Sequence, residues 1–108
     1  MKVIKLIHNK DCHIWQVAKK LLEESLEELS LPKKYEVITI NTDEEAEKYK
    51  FFGSPQILVN GKDIDPLASG IKKFQIFGCR AYFYKGKFSE YPSKEMILSA
   101  LKGGENNG

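Results

Sequence analysis

A strand–helix–strand pattern in the first 41 residues restricts the fold more than any other feature of the chain. KVIKLIH at 2–8 is aliphatic and β-branched, and YEVITIN at 35–41 alternates well enough for a second strand. Between them an amphipathic helix is predicted, with Asp11 as its N-cap and Pro32 at its end. The apolar stripe of that helix comprises Ile14, Ala18, Leu21 or Leu22, Leu26 and Leu29. A helix that joins neighbouring strands in this way makes them parallel, with a right-handed crossover.

The middle of the chain predicts more strands for the same sheet. Thr42 and Glu45 form a capping box at the start of a short second helix. The Asn-Gly pair at 60–61 is the strongest hairpin signal in the sequence, because both residue types accept the positive φ of a type I′ turn. We therefore expect two antiparallel strands near 56–60 and 62–65.

A last helix is predicted near the C-terminus, with Ser93 as N-cap and Gly103 as its stop. A chain of 108 residues is long enough for one hydrophobic core and too short for two. We therefore expect one domain at 1–102 and a disordered tail at 103–108.

Residues 66–91 are long for a connection between a strand and a helix, and they are rich in aromatic residues. This composition predicts that the segment packs on the domain. Within it, AYFYKGKFS at 81–89 predicts a small hairpin that turns at Lys85 and Gly86.

Composition and charge exclude several classes of function. The net charge of +2 gives no argument for nucleic acid or an anionic membrane as a partner. The apolar runs are too short for a secretory leader or a membrane span, so a cytoplasmic protein is expected. Two cysteines are too few for a disulfide scaffold, and in a reducing compartment they are free thiols, a transient redox couple or metal ligands.

Cys12 lies between the first predicted strand and the first predicted helix, in the stretch HNKDCHIW. At the first turn of a helix, unpaired backbone N–H groups and the positive end of the helix dipole favour the nucleophilic thiolate. His8, Lys10 and His13 add positive charge nearby when they are protonated. However, Trp15 stands where a redox C-x-x-C motif has its second cysteine. The usual cysteine pair is therefore incomplete.

The predicted order strand, helix, strand, helix, strand, strand, helix resembles the thioredoxin fold, a mixed four-stranded sheet covered by helices. The stretch FFGSPQILVNGKDIDP, which includes Ser54 and Pro55, is similar to the corresponding segment of glutaredoxins. The resemblance implies a cis bond between these two residues, opposite Cys12. It also implies that the backbone there is free to pair with an extended thiol-bearing substrate.

A closer resemblance is to small thioredoxin-like proteins, some of them selenoproteins, that have C-x-x-W in place of C-x-x-C. They share a G-S-P-x-I-x-V-x-G-x-D stretch and a later G-x-C-R-x-Y-like stretch. The matching residues here are Cys12, Trp15, Gly53, Ser54, Pro55, Ile57, Val59, Gly61, Asp63, Cys79, Arg80 and Tyr82. The match covers most of residues 3–102 and departs at His13, where a proline is more usual. It implies the thioredoxin-like fold and a thiol function.

Cys79 decides which thiol chemistry is available. In the predicted sheet the third strand runs away from the Cys12 end and the fourth returns, so the chain after Asp65 emerges beside Cys12. Cys79 is then either a resolving cysteine, which attacks a mixed disulfide on Cys12, or a buried structural residue. A disulfide requires Cα atoms within about 7 Å of each other. The neighbouring Arg80 either holds a thiolate or a substrate carboxylate, or lies at the surface.

Three functions follow from these patterns. The first is a thiol–disulfide oxidoreductase of thioredoxin or glutaredoxin type, with Cys12 as nucleophile and Cys79 as a possible resolver. Its candidate substrate-binding residues are His13, Trp15, Ser54, Pro55 and Arg80. It would act, as a monomer or homodimer and without a cofactor, on a protein or low-molecular-weight thiol or disulfide. The second is a protein that binds a soft metal ion such as Cu(I), Zn or Hg through Cys12 and Cys79, either alone or together with His13. The third is a non-catalytic adaptor that uses the aromatic segment 74–88.

Overall fold

The computed structural model describes residues 2–106, and within this range the chain forms a four-stranded mixed sheet and three α-helices. The elements are β1 (Ile4–Asn9), α1 (Trp15–Glu28), β2 (Glu36–Ile40), α2 (Asp43–Tyr49), β3 (Gln56–Val59), β4 (Lys62–Asp63), a 3-10 helix (Pro66–Gly70), β5 (Tyr82–Tyr84), β6 (Lys87–Ser89) and α3 (Lys94–Asn106). The predicted α/β class and the predicted element order are confirmed. No helix among the described residues is both long and apolar enough to cross a membrane.

The sheet has the strand order β2-β1-β3-β4. β1 and β2 are parallel, whereas β3 is antiparallel to both β1 and β4. Asn9 pairs with Ile40, and Ile7 pairs with Gln56 at the start of β3. The ends of β1 and β2 therefore lie beside the start of β3. We call this edge, marked by Asn9, Ile40 and Gln56, the Cys12 end of the sheet.

Helices cover both faces of the sheet. Alternate residues of a strand point to opposite faces, and neighbouring residues of β1 belong to different apolar clusters. The larger cluster joins the sheet to α1 and α3 through Ile4, Leu6, Ala18, Leu22, Leu26, Ile57, Val59, Ile64, Ile97 and Leu101. The smaller cluster joins it to α2 through Ile7, Ile40, Ala46, Phe51 and Leu58. Burial on both faces explains why β1 is an almost continuous apolar run.

Local turn and cap predictions are mostly confirmed. The capping box is formed, because Glu45 N–H donates to Thr42 Oγ1 and Thr42 N–H donates to the Glu45 carboxylate, both at 3.1 Å. Asn60 and Gly61 have φ values of 53° and 81°, as a type I′ turn requires. The second predicted hairpin also forms, as β5 and β6.

Two predicted helix boundaries are wrong. α1 begins at Trp15 with Ile14 as N-cap, and the exposed Asp11 does not cap it. At the other end of the chain, helical backbone continues past Gly103 to Asn106. A glycine costs a helix only about 1 kcal/mol relative to alanine, which does not by itself end it. The remainder of the predicted tail, residues 107–108, lies outside the described residues.

Candidate functional site

Cys12 lies in the turn between β1 and α1, two residues before the N-cap Ile14. Cys12 therefore lies outside the first helical turn, although the sequence pattern placed it within that turn. Its backbone N–H donates to the Asn9 carbonyl at 3.4 Å, and its side chain is half-buried. No side chain caps α1, and its first turn contains no acidic residue. The backbone N–H groups at the start of α1 are thus left without a side-chain cap.

Trp15, at the position of the missing second cysteine, stacks on His8. The two rings are 4.2 Å apart between centroids and inclined by 3°. His8 is buried, and its Nδ1 lies 2.8 Å from the Asn9 carbonyl oxygen. A carbonyl only accepts, so Nδ1 carries a proton, and Nε2 lies 3.2 Å from the Thr39 hydroxyl. Trp15 therefore covers an imidazole that Asn9 and Thr39 hold at the end of β1.

The predicted cis bond between Ser54 and Pro55 is present. Both residues are buried directly before β3. Asn9 N–H donates to the Ser54 hydroxyl at 3.3 Å, and the Tyr82 hydroxyl donates to the Pro55 carbonyl at 2.5 Å. The loop before β3 is thus tied both to the end of β1 and to β5.

Cys79 forms an isolated parallel bridge with Ser54. Ser54 N–H donates to the Gly78 carbonyl, and Arg80 N–H donates to the Ser54 carbonyl, each at 3.0 Å. We call residues 76–80 the docked segment. The expectation that the backbone beside Pro55 is free for a substrate is therefore wrong, because the chain itself pairs with it.

Gly53 allows this close approach. A Cβ at Gly53 would lie 3.0 Å from the carbonyl carbon of Cys79 and 3.1 Å from its oxygen. Both are backbone atoms, which cannot rotate away as a flexible side chain does. A side chain larger than that of glycine would therefore force the Cys79 backbone to shift by a few tenths of an ångström.

Asn9 connects the docked segment to the Cys12 turn. Its side-chain Nδ2 donates to the carbonyls of Ile76 and Gly78, at 3.1 and 3.2 Å. Its own carbonyl accepts from Cys12 N–H. Sequence reasoning did not select Asn9, although a polar residue that ends a buried strand was a signal for such a role.

Arg80 is buried, and the expectation that it lies at the surface is wrong. Its guanidinium binds Asp63 through two hydrogen bonds of 2.9 and 3.0 Å, and Asp65 lies at 3.7 Å. It also stacks on the rings of Phe52 and Tyr82, with Cζ 4.1 and 4.6 Å from the two centroids. Because the side chain is 1% exposed, it has no surface left for a substrate carboxylate. Arg80 instead anchors the end of the docked segment to β4.

Burial sets the charge states in this anchor. It raises the pKa of the Tyr82 hydroxyl; Arg80 opposes this rise, and Asp63 and Asp65 reinforce it. Burial acts to lower the pKa of Arg80, but the interactions with Tyr82, Asp63 and Asp65 outweigh it and the pKa is raised. At neutral pH the anchor thus combines a charged guanidinium with a neutral phenol, next to Asp63 and Asp65.

The remaining candidates differ in accessibility. Cys79 is exposed, and neither it nor Cys12 is in a disulfide. His13 is exposed in the same turn as Cys12. Within residues 2–106, no group of three or more His, Cys, Asp or Glu side chains is placed to hold a metal ion. The fold brings Cys12, Ser54, Pro55 and Cys79 to one end of the sheet. The Arg80 side chain is buried against Asp63.

The sequence model of a family described as a domain of unknown function, DUF2703, matches residues 9–101. Searches of curated proteins and of solved structures give no match to the chain. The matched range contains both cysteines, the loop before β3 and the whole Arg80 anchor. Because this range covers most of the chain, the protein belongs to the DUF2703 family.

Proposed function

We propose that this protein is a thioredoxin-like thiol–disulfide oxidoreductase, with Cys12 as nucleophile and Cys79 as resolving cysteine. The observation that carries the proposal is the pairing of Cys79 with Ser54. Ser54 lies beside Asn9, and Asn9 accepts the Cys12 N–H, so one short chain of contacts joins the two thiol-bearing segments. Cys79 is exposed and Cys12 is half-buried, so neither residue is closed off from the solvent access that thiol exchange requires.

The architecture supports a thioredoxin-like assignment. Two parallel strands joined by α1 lie in a sheet with the antiparallel β3 and β4. Cys12 follows the central strand β1, and Pro55 precedes the neighbouring strand β3. This is the relative placement of nucleophile and proline that the resemblance implies.

The proposed reaction is a two-step exchange. The Cys12 thiolate attacks one sulfur of a disulfide RSSR, so that a Cys12–SR bond forms, the S–S bond of the substrate breaks and one thiolate leaves. The Cys79 thiolate then attacks the Cys12 sulfur, forms the Cys12–Cys79 disulfide and releases the second thiolate. Two electrons pass to the substrate, and the two thiol protons of the protein end on the released thiols. A dithiol reductant, dithiothreitol in vitro, restores the cysteines.

The other candidate residues have supporting parts in this proposal. Trp15 covers the His8 ring at the end of β1 by its stack on it. Ser54 holds the docked segment through its backbone, and the Pro55 carbonyl accepts from the Tyr82 hydroxyl of β5. The exposed His13 is available to a substrate. Arg80 is assigned an anchoring part instead of a substrate-binding one.

A single-turnover reaction of the reduced protein with dithiobis(nitrobenzoate) tests the proposal. The wild type should release two equivalents of nitrothiobenzoate per chain and end as an internal disulfide without an adduct, as seen by intact mass. Cys79→Ser should release one equivalent and keep the other as a mixed disulfide on Cys12. Cys12→Ser should lose the rapid first phase.

Independent cysteines would give a different product. A wild-type chain that ends with a separate adduct on each cysteine contradicts the resolving role of Cys79. Equal first-phase rates for the wild type and Cys12→Ser contradict the nucleophilic role of Cys12. Peptide mapping identifies the modified cysteine in each case.

A further inference from the structure

The docked segment occupies the backbone that an extended polypeptide would need beside Pro55. We propose that the substrates are low-molecular-weight disulfides, which require no backbone pairing, instead of extended polypeptides. This inference rests on the proposed function and specifies its substrate class.

The occupied groups are the first support. Ser54 has one backbone N–H and one carbonyl, and both are bonded, to the Gly78 carbonyl and to Arg80 N–H. An incoming polypeptide strand would pair through these same two groups. No second strand can use them while the docked segment stays in place.

The docked segment is also held at both ends, which opposes its displacement. At its start, Ile76 N–H donates to an Asp43 carboxylate oxygen at 3.1 Å, and Asn9 binds the Ile76 and Gly78 carbonyls. At its end, the Arg80 guanidinium is buried against Asp63. A polypeptide would have to replace these contacts in addition to the bridge at Ser54.

A small disulfide has no such requirement. Cys79 is exposed and Cys12 is half-buried, so both sulfur atoms belong to residues with solvent contact. Exchange between sulfur atoms requires access and alignment of the attacking thiolate, and no hydrogen bond to the substrate backbone. The docked segment thus supplies the resolving thiol and at the same time closes the edge to longer substrates.

Backbone methylation of a peptide substrate tests this inference directly. One substrate is an extended peptide with a central cysteine in disulfide linkage to mercaptoethanol, and the other is the same peptide with its N–H groups next to that cysteine methylated. The wild type should reduce the two at equal rates, and bis(2-hydroxyethyl) disulfide at least as fast. If substrates pair with Ser54, methylation should instead slow the reaction roughly 2- to 10-fold, the value expected for the one hydrogen bond that the Ser54 carbonyl would lose.

The variant Asn9→Ala removes the hydrogen bonds to the Ile76 and Gly78 carbonyls. It tests whether the docked segment is what prevents a substrate from pairing with Ser54. It should release the docked segment and make the rate sensitive to backbone methylation. Asn41→Ala is the matched control, because Asn41 follows the neighbouring strand β2 and its side chain reaches only the Thr39 carbonyl, at 3.4 Å. The control should remain insensitive to methylation.

The outcomes separate the two proposals. If wild-type activity requires Cys12 but falls on backbone methylation, the substrate class is wrong and the oxidoreductase proposal stands. If neither peptide nor bis(2-hydroxyethyl) disulfide is reduced, both proposals are wrong. The methylation comparison needs no variant, so misfolding of Asn9→Ala would leave it decisive.

Discussion

The helix-covered core and the docked segment are held by different kinds of interaction. The core joins α1 and α3 to the sheet through aliphatic side chains such as Leu22, whose packing is not directional. The docked segment is held by hydrogen bonds from Asn9 and Ser54 and by the buried ion pair of Arg80. Apolar burial makes the sheet stable, whereas directional bonds select which residue of a long connection lies opposite Ser54. Here that residue is Cys79.

Arg80→Ala is the change that should separate the two regions most strongly. It leaves Asp63 and Asp65 without their buried partner and should cost about 3 to 5 kcal/mol in the free energy of unfolding. Urea denaturation measures that cost. In native-state hydrogen exchange, the Ser54 amide should exchange faster than the loss of global stability alone predicts. The excess measures local opening of the bridge between Ser54 and Cys79.

Leu22→Ala is the comparison variant in the core. A buried leucine truncated to alanine should cost about 2 to 5 kcal/mol. In this variant the Ser54 amide hydrogen should exchange only through global unfolding. If Arg80→Ala costs less than about 1 kcal/mol, or if both variants open the bridge equally, the proposed difference between the two regions is wrong.

Gly53→Ala sharpens the comparison at the point where the docked segment meets the loop before β3. The added Cβ would lie 3.0 Å from the Cys79 carbonyl carbon, and we expect a loss of about 1 to 3 kcal/mol together with faster alkylation of Cys79. Gly70→Ala is the control, because nothing lies within 4 Å of a Cβ there. Equal stability and equal alkylation rates in the two variants would contradict the close packing at Gly53.

Tyr82→Phe should have the smallest effect at neutral pH, about 1 kcal/mol from the lost hydrogen bond to Pro55. The pKa of Tyr82 is raised in the folded state, so its neutral form is favoured there. This contribution is complete below the unfolded pKa of about 10 and is lost as the pH rises above that value. Urea titrations should therefore show a steeper alkaline loss of stability in the wild type than in the variant.

Tyr84→Phe is the control for that pH dependence. Tyr84 is in the same strand, β5, but its side chain is partly exposed. Its replacement should leave the alkaline slope of the wild type unchanged. If the two variants have equal slopes, burial of the Tyr82 hydroxyl is not the cause.

Sequence patterns predicted features that depend on neighbouring residues. Thr42 and Glu45 are three positions apart, and their capping box needs no other part of the fold. The turn at Asn60 and Gly61 follows from the φ values that these residues accept. The place of Cys12 at the end of β1 also followed from local patterns, although α1 begins later than its spacing indicated.

Apart from the two helix boundaries, the errors concern contacts between distant parts of the chain. Arg80 looked like a surface residue because its partners, Asp63 and Asp65, are on another strand and beyond its end. The backbone of Ser54 was expected to be free, since nothing local indicates that residues 78–80 return to it. Asn9 was missed for the same reason, because the carbonyls that it binds are more than 60 positions away in the chain.

The sequence by itself thus determined the α/β class, the order of the elements, the turns and the position of Cys12 beside the sheet. These depend on periodicity and on bonds that span a few residues. Only the tertiary structure decided that Cys79 pairs with Ser54 and that Arg80 is buried. The physical reason is that the backbone bonds at Ser54 and the ion pairs of Arg80 have no local sequence signature. They depend on a core that holds β1, β3 and β4 side by side.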